Sequence, residues 1–159
     1  MSQMGILMLR IDINYGIIRP QYAYISNWYY KSANQGNADS LNQLGQMFYN
    51  GDELPQDFHK AYDYYIKAVN QGNIEALNNL GVMYCYGHYV NKNYEKAIEL
   101  FQKAINQGSE IAFYNLGRMY FYGEGVQQNY LIATHYFYKA AKNDYPDALY
   151  MLSIIYKNG

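Results

Sequence analysis

The chain contains 159 residues, half of them hydrophobic, and carries a formal net charge of −1. This balance argues against nucleic acid as the main partner, because phosphate binding needs a clustered positive surface. Cys85 is the single cysteine, which excludes an internal disulfide and favours a reducing compartment. No stretch approaches the ~20 apolar residues of a membrane span, and no signal peptide is recognisable, so we expect a cytoplasmic protein, in the host cytosol if it is an effector or viral protein.

The first 37 residues predict a degenerate copy of a helix pair. Gly5 to Asn14 is expected to form a helix, although the alternating pattern of Ile11 to Tyr15 leaves a short extended segment as the alternative. Tyr22 to Gly36 has apolar residues at helical spacing and is expected to form the second helix of that copy. This second segment ends in the tripeptide Asn-Gln-Gly.

The tripeptide Asn-Gln-Gly recurs at a fixed spacing along the chain. Its three copies end at Gly36, Gly72 and Gly108, so the period is 36 residues. A period of this size is typical of a repeat array in which each copy packs on its neighbours. We expect a single repeat domain, with clear repeats at 38–73, 74–109 and 110–145 and a terminal half repeat at 146–159.

Each repeat predicts two helices. In the middle copy these are expected over Ala76–Tyr86 and Tyr94–Asn106, where apolar residues recur every three or four positions. Breaker residues separate them, as in Gly123-Glu-Gly125 of the next copy. The glycine of Asn-Gln-Gly is expected to end the second helix in a left-handed conformation. In the last copy Asn143 or Asp144 would have to adopt that conformation.

A glycine also recurs inside the first helix of each repeat, where it costs ~1 kcal/mol relative to alanine. Its recurrence at one phase predicts that another helix approaches the backbone closely, rather than that a ligand binds there. Small residues of the second helix are the expected contacts. The glycines are Gly45, Gly81 and Gly117, and the expected contacts are Ala61, Ala97 and Ala133.

The last predicted helix continues the register of the first helices, with Ser153 in place of the glycine. Met151, Ile154 and Ile155 are expected to be partly uncovered, because no second helix follows within the sequence. Three interpretations stay open: this helix caps the array, it pairs with something else, or the chain is a fragment of a longer array.

This pattern resembles the Sel-1-like repeat family, a relative of the tetratricopeptide repeat. The resemblance covers about Ala38 to Gly159 and implies an all-α fold, a right-handed α-solenoid of antiparallel helix pairs with about four units and a terminal half unit. Family members commonly act as scaffolds for other proteins. The clearest copy carries the motif at Ala112, Leu116, Gly117, Tyr120, Gly123, Gly125, Val126, Tyr136, Phe137, Ala140 and Ala141.

The sequence contains few candidates for catalytic or metal-binding residues. The histidines His59, His88 and His135 fall at three different phases of the repeat, and no metal-ligand spacing is present, so neither a metal nor another cofactor is expected. The nucleophile candidates have no identifiable base. We therefore expect a non-enzyme. A small hydrolase with a site between repeats, based on His135 and Cys85, is the alternative.

The family resemblance implies that the first helices line a concave face. Side chains outside the apolar stripe would then meet a protein or peptide partner, because amides pair with peptide groups, tyrosines give contact area at low entropic cost and Arg118 suits a carboxylate or phosphate. The function expected is an adaptor, and self-assembly through the last helix is a further alternative. The candidate residues are Asn42, Gln46, Tyr49, Asn78, Val82, Tyr86, Tyr114, Arg118 and Tyr122, with Cys85 and Phe121 beside them.

Overall fold

The computed structural model describes residues 20–52, 54–142 and 145–158, and its regular elements over these ranges are all α-helices. Two compact bodies are distinguished, an N-terminal body up to Gln71 and a C-terminal body from Gly72. The predictions for Gly5 to Asn14 and for residues 143 and 144 lie outside the described residues. The helices are α1 (Pro20–Asn34), α2 (Ala38–Asn50), α3 (Phe58–Asn70), α4 (Ile74–Tyr86), α5 (Tyr94–Asn106), α6 (Glu110–Tyr122), α7 (Tyr130–Ala141) and α8 (Pro146–Asn158).

Consecutive helices pack together within each body. In the N-terminal body α1 packs on α2 and α2 on α3, and in the C-terminal body the same is true from α4 to α8. The predicted all-α class of helix pairs is confirmed. The predicted bounds of α5 agree with the structure, whereas α4 begins two residues earlier than expected because Asn73 caps it.

Six helices begin with the same capping device. A side-chain oxygen of the residue before the helix accepts a hydrogen bond from the backbone N–H three positions later, at 2.8 to 3.4 Å. This satisfies one of the backbone donors that a helix leaves unpaired at its start. The capping residues are Asn37, Asp57, Asn73, Asn93, Ser109 and Asn129.

The glycine of Asn-Gln-Gly ends a helix, as predicted. Gly36, Gly72 and Gly108 have φ values of 81°, 85° and 92°. After α5, the Gly108 N–H donates to the Ile105 carbonyl and the Ser109 N–H donates to the Ala104 carbonyl, both at 2.9 Å. This paired pattern is the Schellman motif, which requires a left-handed residue at the glycine position.

The glycine inside each first helix lies against an aromatic ring of the second helix. A Cβ atom at Gly45 would lie 2.5 Å from the Tyr65 ring, and one at Gly81 would lie 2.5 Å from the Phe101 ring. Gly117 has the same relation to Phe137. The predicted close approach is therefore confirmed, and the nearest atoms belong to these rings instead of the predicted alanines. All three rings are at most 2% exposed.

Helix α8 packs on α7 through a small apolar core. Met151 belongs to this core and is 5% exposed, so the expectation that it is uncovered is wrong, whereas Ile154 and Ile155 are half-buried. The exposed apolar surface of α8 is instead formed by Leu149, Tyr150 and Tyr156. The core residues are Ala133, Phe137, Ala140, Ala148, Met151 and Leu152.

Candidate partner-binding site

The N-terminal body holds three of the nine candidate residues. Asn42 is only 1% exposed, so its amide is part of the interior. Gln46 is half-buried. Tyr49 is also half-buried, with its ring 5.3 Å from the Phe58 ring in an edge-on contact and its carbonyl accepting a 2.9 Å hydrogen bond from the Gln56 amide. Gln46 and Tyr49 thus keep part of their side chains at the surface.

In the C-terminal body, the first helices α4 and α6 are joined by an amide pair. The Asn115 side chain donates a 2.8 Å hydrogen bond to the Asn78 side-chain oxygen. Asn78 is 5% exposed, whereas Asn115 is half-buried. The sequence reasoning missed Asn115, although the recurrence of asparagine at the equivalent position Asn79 was a usable signal. This amide pair fixes the relative position of α4 and α6 beneath the surface residues.

Arg118 forms a second link between α4 and α6. Both terminal nitrogens of its guanidinium group donate to the Tyr86 hydroxyl, at 3.2 and 3.1 Å. The guanidinium carbon also lies 5.8 Å from the centre of the Tyr122 ring, within the range of a cation–π interaction. The structure thus brings together Tyr86, Arg118 and Tyr122, which the sequence placed on one face.

A shallow notch lies beside Arg118 and has room for little more than a water molecule. Its sides combine apolar, amide and charged groups, with Glu124 as the one acidic member. Val82, another candidate from the sequence, lies in its wall. The notch is lined by Val82, Cys85, Tyr86, Phe101, Asn115, Arg118, Met119 and Glu124.

Tyr114, the remaining candidate of the C-terminal body, is half-buried. Its ring lies 5.1 Å from the Tyr145 ring and 5.8 Å from the Phe137 ring. Burial raises the pKa of Tyr114 above its ordinary value, although the Arg118 charge acts in the opposite direction. Burial also raises the pKa of Tyr145. Both hydroxyls therefore keep their protons at neutral pH and are able to donate hydrogen bonds.

Cys85 lies in the wall of the notch and is 8% exposed. Burial, helped by the negative charge of Glu124, raises the pKa of its thiol to about 11. Because the thiolate is the nucleophilic form, this environment opposes nucleophilic chemistry at neutral pH. His135, the proposed partner of Cys85 in the hydrolase alternative, is an exposed residue of α7 whose ring contacts Tyr136 and does not line the notch.

Metal-binding clusters and membrane-spanning helices are both absent from the described part of the chain. No group of three or more His, Cys, Asp or Glu side chains is arranged to hold a metal ion there. Likewise, none of the helices in the described ranges combines the length and apolar character needed to cross a membrane.

The Sel1 repeat family model matches most of the chain, over residues 27–37, 38–73, 74–109, 112–145 and 146–159. No curated protein matches the chain in sequence.

Solved structures with the same arrangement of helices are known from several bacteria. The chain is similar to c5321, a protective antigen of uropathogenic Escherichia coli with an SLR fold (28% identity, TM-score 0.72, covering 99% of this chain and 33% of that one). It is also similar to a Sel1 repeat protein from Oxalobacter formigenes (30% identity, TM-score 0.62, 79% and 94% covered). Helicobacter pylori cysteine rich protein B shares the fold at 23% identity (TM-score 0.61, 86% and 98% covered). The chain thus spans about a third of the length of c5321.

Proposed function

This chain belongs to the Sel1 repeat family, whose members are generally protein-interaction scaffolds, and we propose that it is a non-catalytic adaptor. Its partner is a protein or peptide bound by the exposed side chains of the first helices, the face that the family resemblance implies to be concave. In the C-terminal body these side chains belong to α4 and α6. Tyr86, Arg118 and Tyr122 form the centre of this proposed contact surface, with Tyr114 at its edge.

The observation that carries this proposal is the fixed Tyr86–Arg118–Tyr122 cluster. Core packing does not require these side chains, because Tyr86 is 46% and Tyr122 is 54% exposed. The forked hydrogen bond nevertheless holds Arg118 in one orientation between the two rings. Tyrosine and arginine are enriched among the residues that dominate binding energy at protein interfaces, in part because a preordered side chain loses little entropy on binding.

Peptide display tests the proposal directly. Random dodecamer peptides are selected on the wild-type chain, and the selected sequences are then measured against Tyr86→Ala and Tyr122→Ala by fluorescence anisotropy. We expect each substitution to weaken binding by about tenfold, because exposed aromatic anchors contribute ~1–2 kcal/mol each. Unchanged affinity in both variants would remove α4 and α6 as the contact surface.

Tyr138→Ala provides the matched control. Tyr138 is 63% exposed and lies on the second helix α7. The substitution therefore removes the same type of side chain from a different surface. We expect its binding to equal that of the wild type. Helical circular dichroism should be the same in all three variants, since none of these tyrosines is a core residue.

The lone, buried thiol supports a proposed cytoplasmic location. A single cysteine forms no internal disulfide, the bond that typically stabilises proteins of oxidising compartments, and the raised pKa of Cys85 keeps the thiol in its unreactive form. The same protonation state argues against the hydrolase alternative. Localisation of a tagged full-length protein tests the first point, and a broad esterase, amidase and β-lactam hydrolysis screen tests the second.

The apolar face of α8 favours self-association as a second candidate role. Leu149 and Tyr156 stand at the register positions of Phe113 and Tyr120, which pack against Tyr136 of α7. Leu149 is 55% and Tyr156 73% exposed, so the corresponding face of α8 is open in the described structure. Sedimentation of the wild type and of a Leu149→Glu, Tyr156→Glu double variant tests this role. A strict monomer at all concentrations would contradict it.

A further inference from the structure

Arg118 is a half-buried cation without a close counter-ion. Among the described residues no carboxylate lies within 4 Å of its guanidinium group, and Tyr86 is its hydrogen-bond acceptor. The lysine ion pairs of the C-terminal body, by contrast, are formed on the exposed surface of α5, around Glu99. Partial burial opposes the charge, but the hydrogen bond with Tyr86 and the negative charge of Glu124 raise the pKa of Arg118, so the group stays charged. Because its acceptor is a hydroxyl, it is still able to form a charge-assisted pair with an anion.

The hydrogen bonds to Tyr86 use only part of the donor capacity of the guanidinium group. The two terminal nitrogens share the Tyr86 hydroxyl, which occupies the end of the group. A guanidinium has five N–H donors, so the edge formed by Nε and one terminal nitrogen keeps its donors. Two parallel donors on one edge match the two oxygens of a carboxylate.

Neutral hydrogen-bond donors are found near Arg118. Burial raises the pKa values of Tyr114 and Tyr145 by more than the Arg118 charge lowers them, so both hydroxyls stay protonated at neutral pH. Asn115 lines the same notch. Hydrogen-bond donors of this kind would complete the coordination of an anion whose first oxygens are held by Arg118.

We propose that Arg118 anchors a carboxylate of the protein or peptide partner, supplied by an acidic side chain or by a chain terminus. This inference rests on the proposed adaptor function and specifies the chemistry that its surface recognises. A carboxylate fits better than a phosphate, because Glu124 lines the same notch and its negative charge acts on Arg118. A dianionic phosphate would be repelled by Glu124 more strongly than a monoanion.

Small-molecule probes test the anchor independently of any peptide. The Nε–H resonance of Arg118 is followed in nitrogen-15-labelled protein and assigned by its loss in Arg118→Gln. N-acetylglycine represents a chain terminus, N-acetylaspartate methylamide represents an acidic side chain, and N-acetylglycinamide is the neutral control. We expect a saturable shift with one or both carboxylates and none with the amide. The carboxylate that binds more tightly identifies the source.

Variants that change one charge test which side chains contribute to carboxylate binding. In Arg118→Gln, the shift of the Tyr122 backbone amide should require at least about tenfold more carboxylate, because the bidentate charge-assisted pair is lost. Glu124→Gln should strengthen binding about two- to threefold by removing a nearby like charge. Lys142→Gln removes an equal charge from an exposed position after α7 and should leave binding unchanged.

Two results of the small-molecule titrations overturn the proposal. The first is the absence of an Arg118 response to either carboxylate, and the second is a response to inorganic phosphate at lower concentration than to both carboxylates, which would indicate a phosphorylated partner. Display-selected peptides that depend on Tyr86 and Tyr122 but not on Arg118 would leave the adaptor function standing while the anchor fails. A carboxylate response without any selected peptide would support the Arg118 anchor while the adaptor function fails.

Discussion

The adjacent repeats 74–109 and 110–145 share one backbone but differ at their surfaces. Both first helices have 13 residues, both end in a left-handed glycine, and both receive a fully buried phenylalanine on an internal glycine. Two of the differences lie at half-buried or exposed positions of the first helix and its loop. Val82 of one repeat is replaced by Arg118 in the other, and Tyr89 by Gly125. Repeated residues therefore build the fold, and unrepeated ones determine what the surface can bind.

The second helices differ in the same way. In α5 the exposed face carries Glu99, which pairs with Lys96 and Lys103 at 2.8 Å in both cases. The equivalent face of α7 exposes Leu131, 85% accessible, and Tyr138. Exposed ion pairs contribute little to stability, so this exchange changes the surface without weakening the core beneath.

The largest predicted effect tests whether the two cores are equivalent. Phe101→Ala and Phe137→Ala should each lower the free energy of unfolding by ~3–5 kcal/mol, because each removes a fully buried ring and leaves a cavity. Chemical denaturation followed by circular dichroism measures both. Similar losses support equivalent cores. A difference above ~2 kcal/mol would show that the repeats are not energetically alike.

The internal glycines give the next largest effect. Gly81→Ala and Gly117→Ala should each destabilise the protein by ~1–2 kcal/mol, although alanine favours a helix by ~1 kcal/mol, because the new Cβ meets a confined ring. Denaturant midpoints measure the change. Ser153→Ala is the control, since Ser153 occupies the same register in α8 and is exposed. A stabilised glycine variant would mean that the ring moves freely.

The internal glycines also show which features of the fold could be predicted from the sequence. The close approach was predictable, because a recurring helical glycine needs a reason. The contacting residue was not, because Ala97 and Phe101 lie one helical turn apart on the same face, and the sequence does not say which turn meets Gly81. The helix starts were predictable to within two residues in the middle repeat, since capping depends on local residues.

The candidate site was predictable only in outline. Helical periodicity placed Tyr86, Arg118 and Tyr122 on one face, and the structure joins them. The forked bond itself depends on the rotamer of a long side chain, which periodicity does not determine. Tyr145 was missed because it lies in a connection outside any helix pattern, next to Pro146.

Substitutions at Tyr89 and Gly125, the equivalent loop positions of the two repeats, should change stability by smaller amounts and in opposite directions. Tyr89 has φ 66° and Gly125 has φ 70°, so both occupy the left-handed region. Tyr89→Gly should stabilise the protein by ~0.5–1 kcal/mol, since relief of the strained backbone exceeds the entropic cost of glycine. Gly125→Ala should destabilise it by ~1 kcal/mol or more, because its Cβ would also collide with the Tyr94 ring. Thermal unfolding of both variants measures this, and equal signs would contradict it.

The smallest predicted effect concerns Cys85, which stands where the other repeat has Phe121. Its thiol pKa of about 11 means that ~0.1% is thiolate at pH 8, so alkylation by iodoacetamide should be slow and should accelerate up to about pH 11. In the guanidinium-unfolded chain the rate should level off near pH 9, the ordinary pKa of the group. The folded state therefore loses stability as pH rises from about 9 to about 11, because only the unfolded thiol ionises there.

Two charge substitutions connect this thiol to the proposed binding surface. Glu124→Gln should speed alkylation of the folded protein at pH 8 about two- to threefold, because the Glu124 charge raises the thiol pKa, and Arg118→Gln should slow it, because the Arg118 charge lowers that pKa. Lys142→Gln serves as the charge-matched control. Opposite shifts in the first two variants would show that Glu124 and Arg118, which both line the notch, act on the same thiol. Equal rates in all three would separate Cys85 electrostatically from Arg118 and leave it a packing residue, as Phe121 is in the neighbouring repeat.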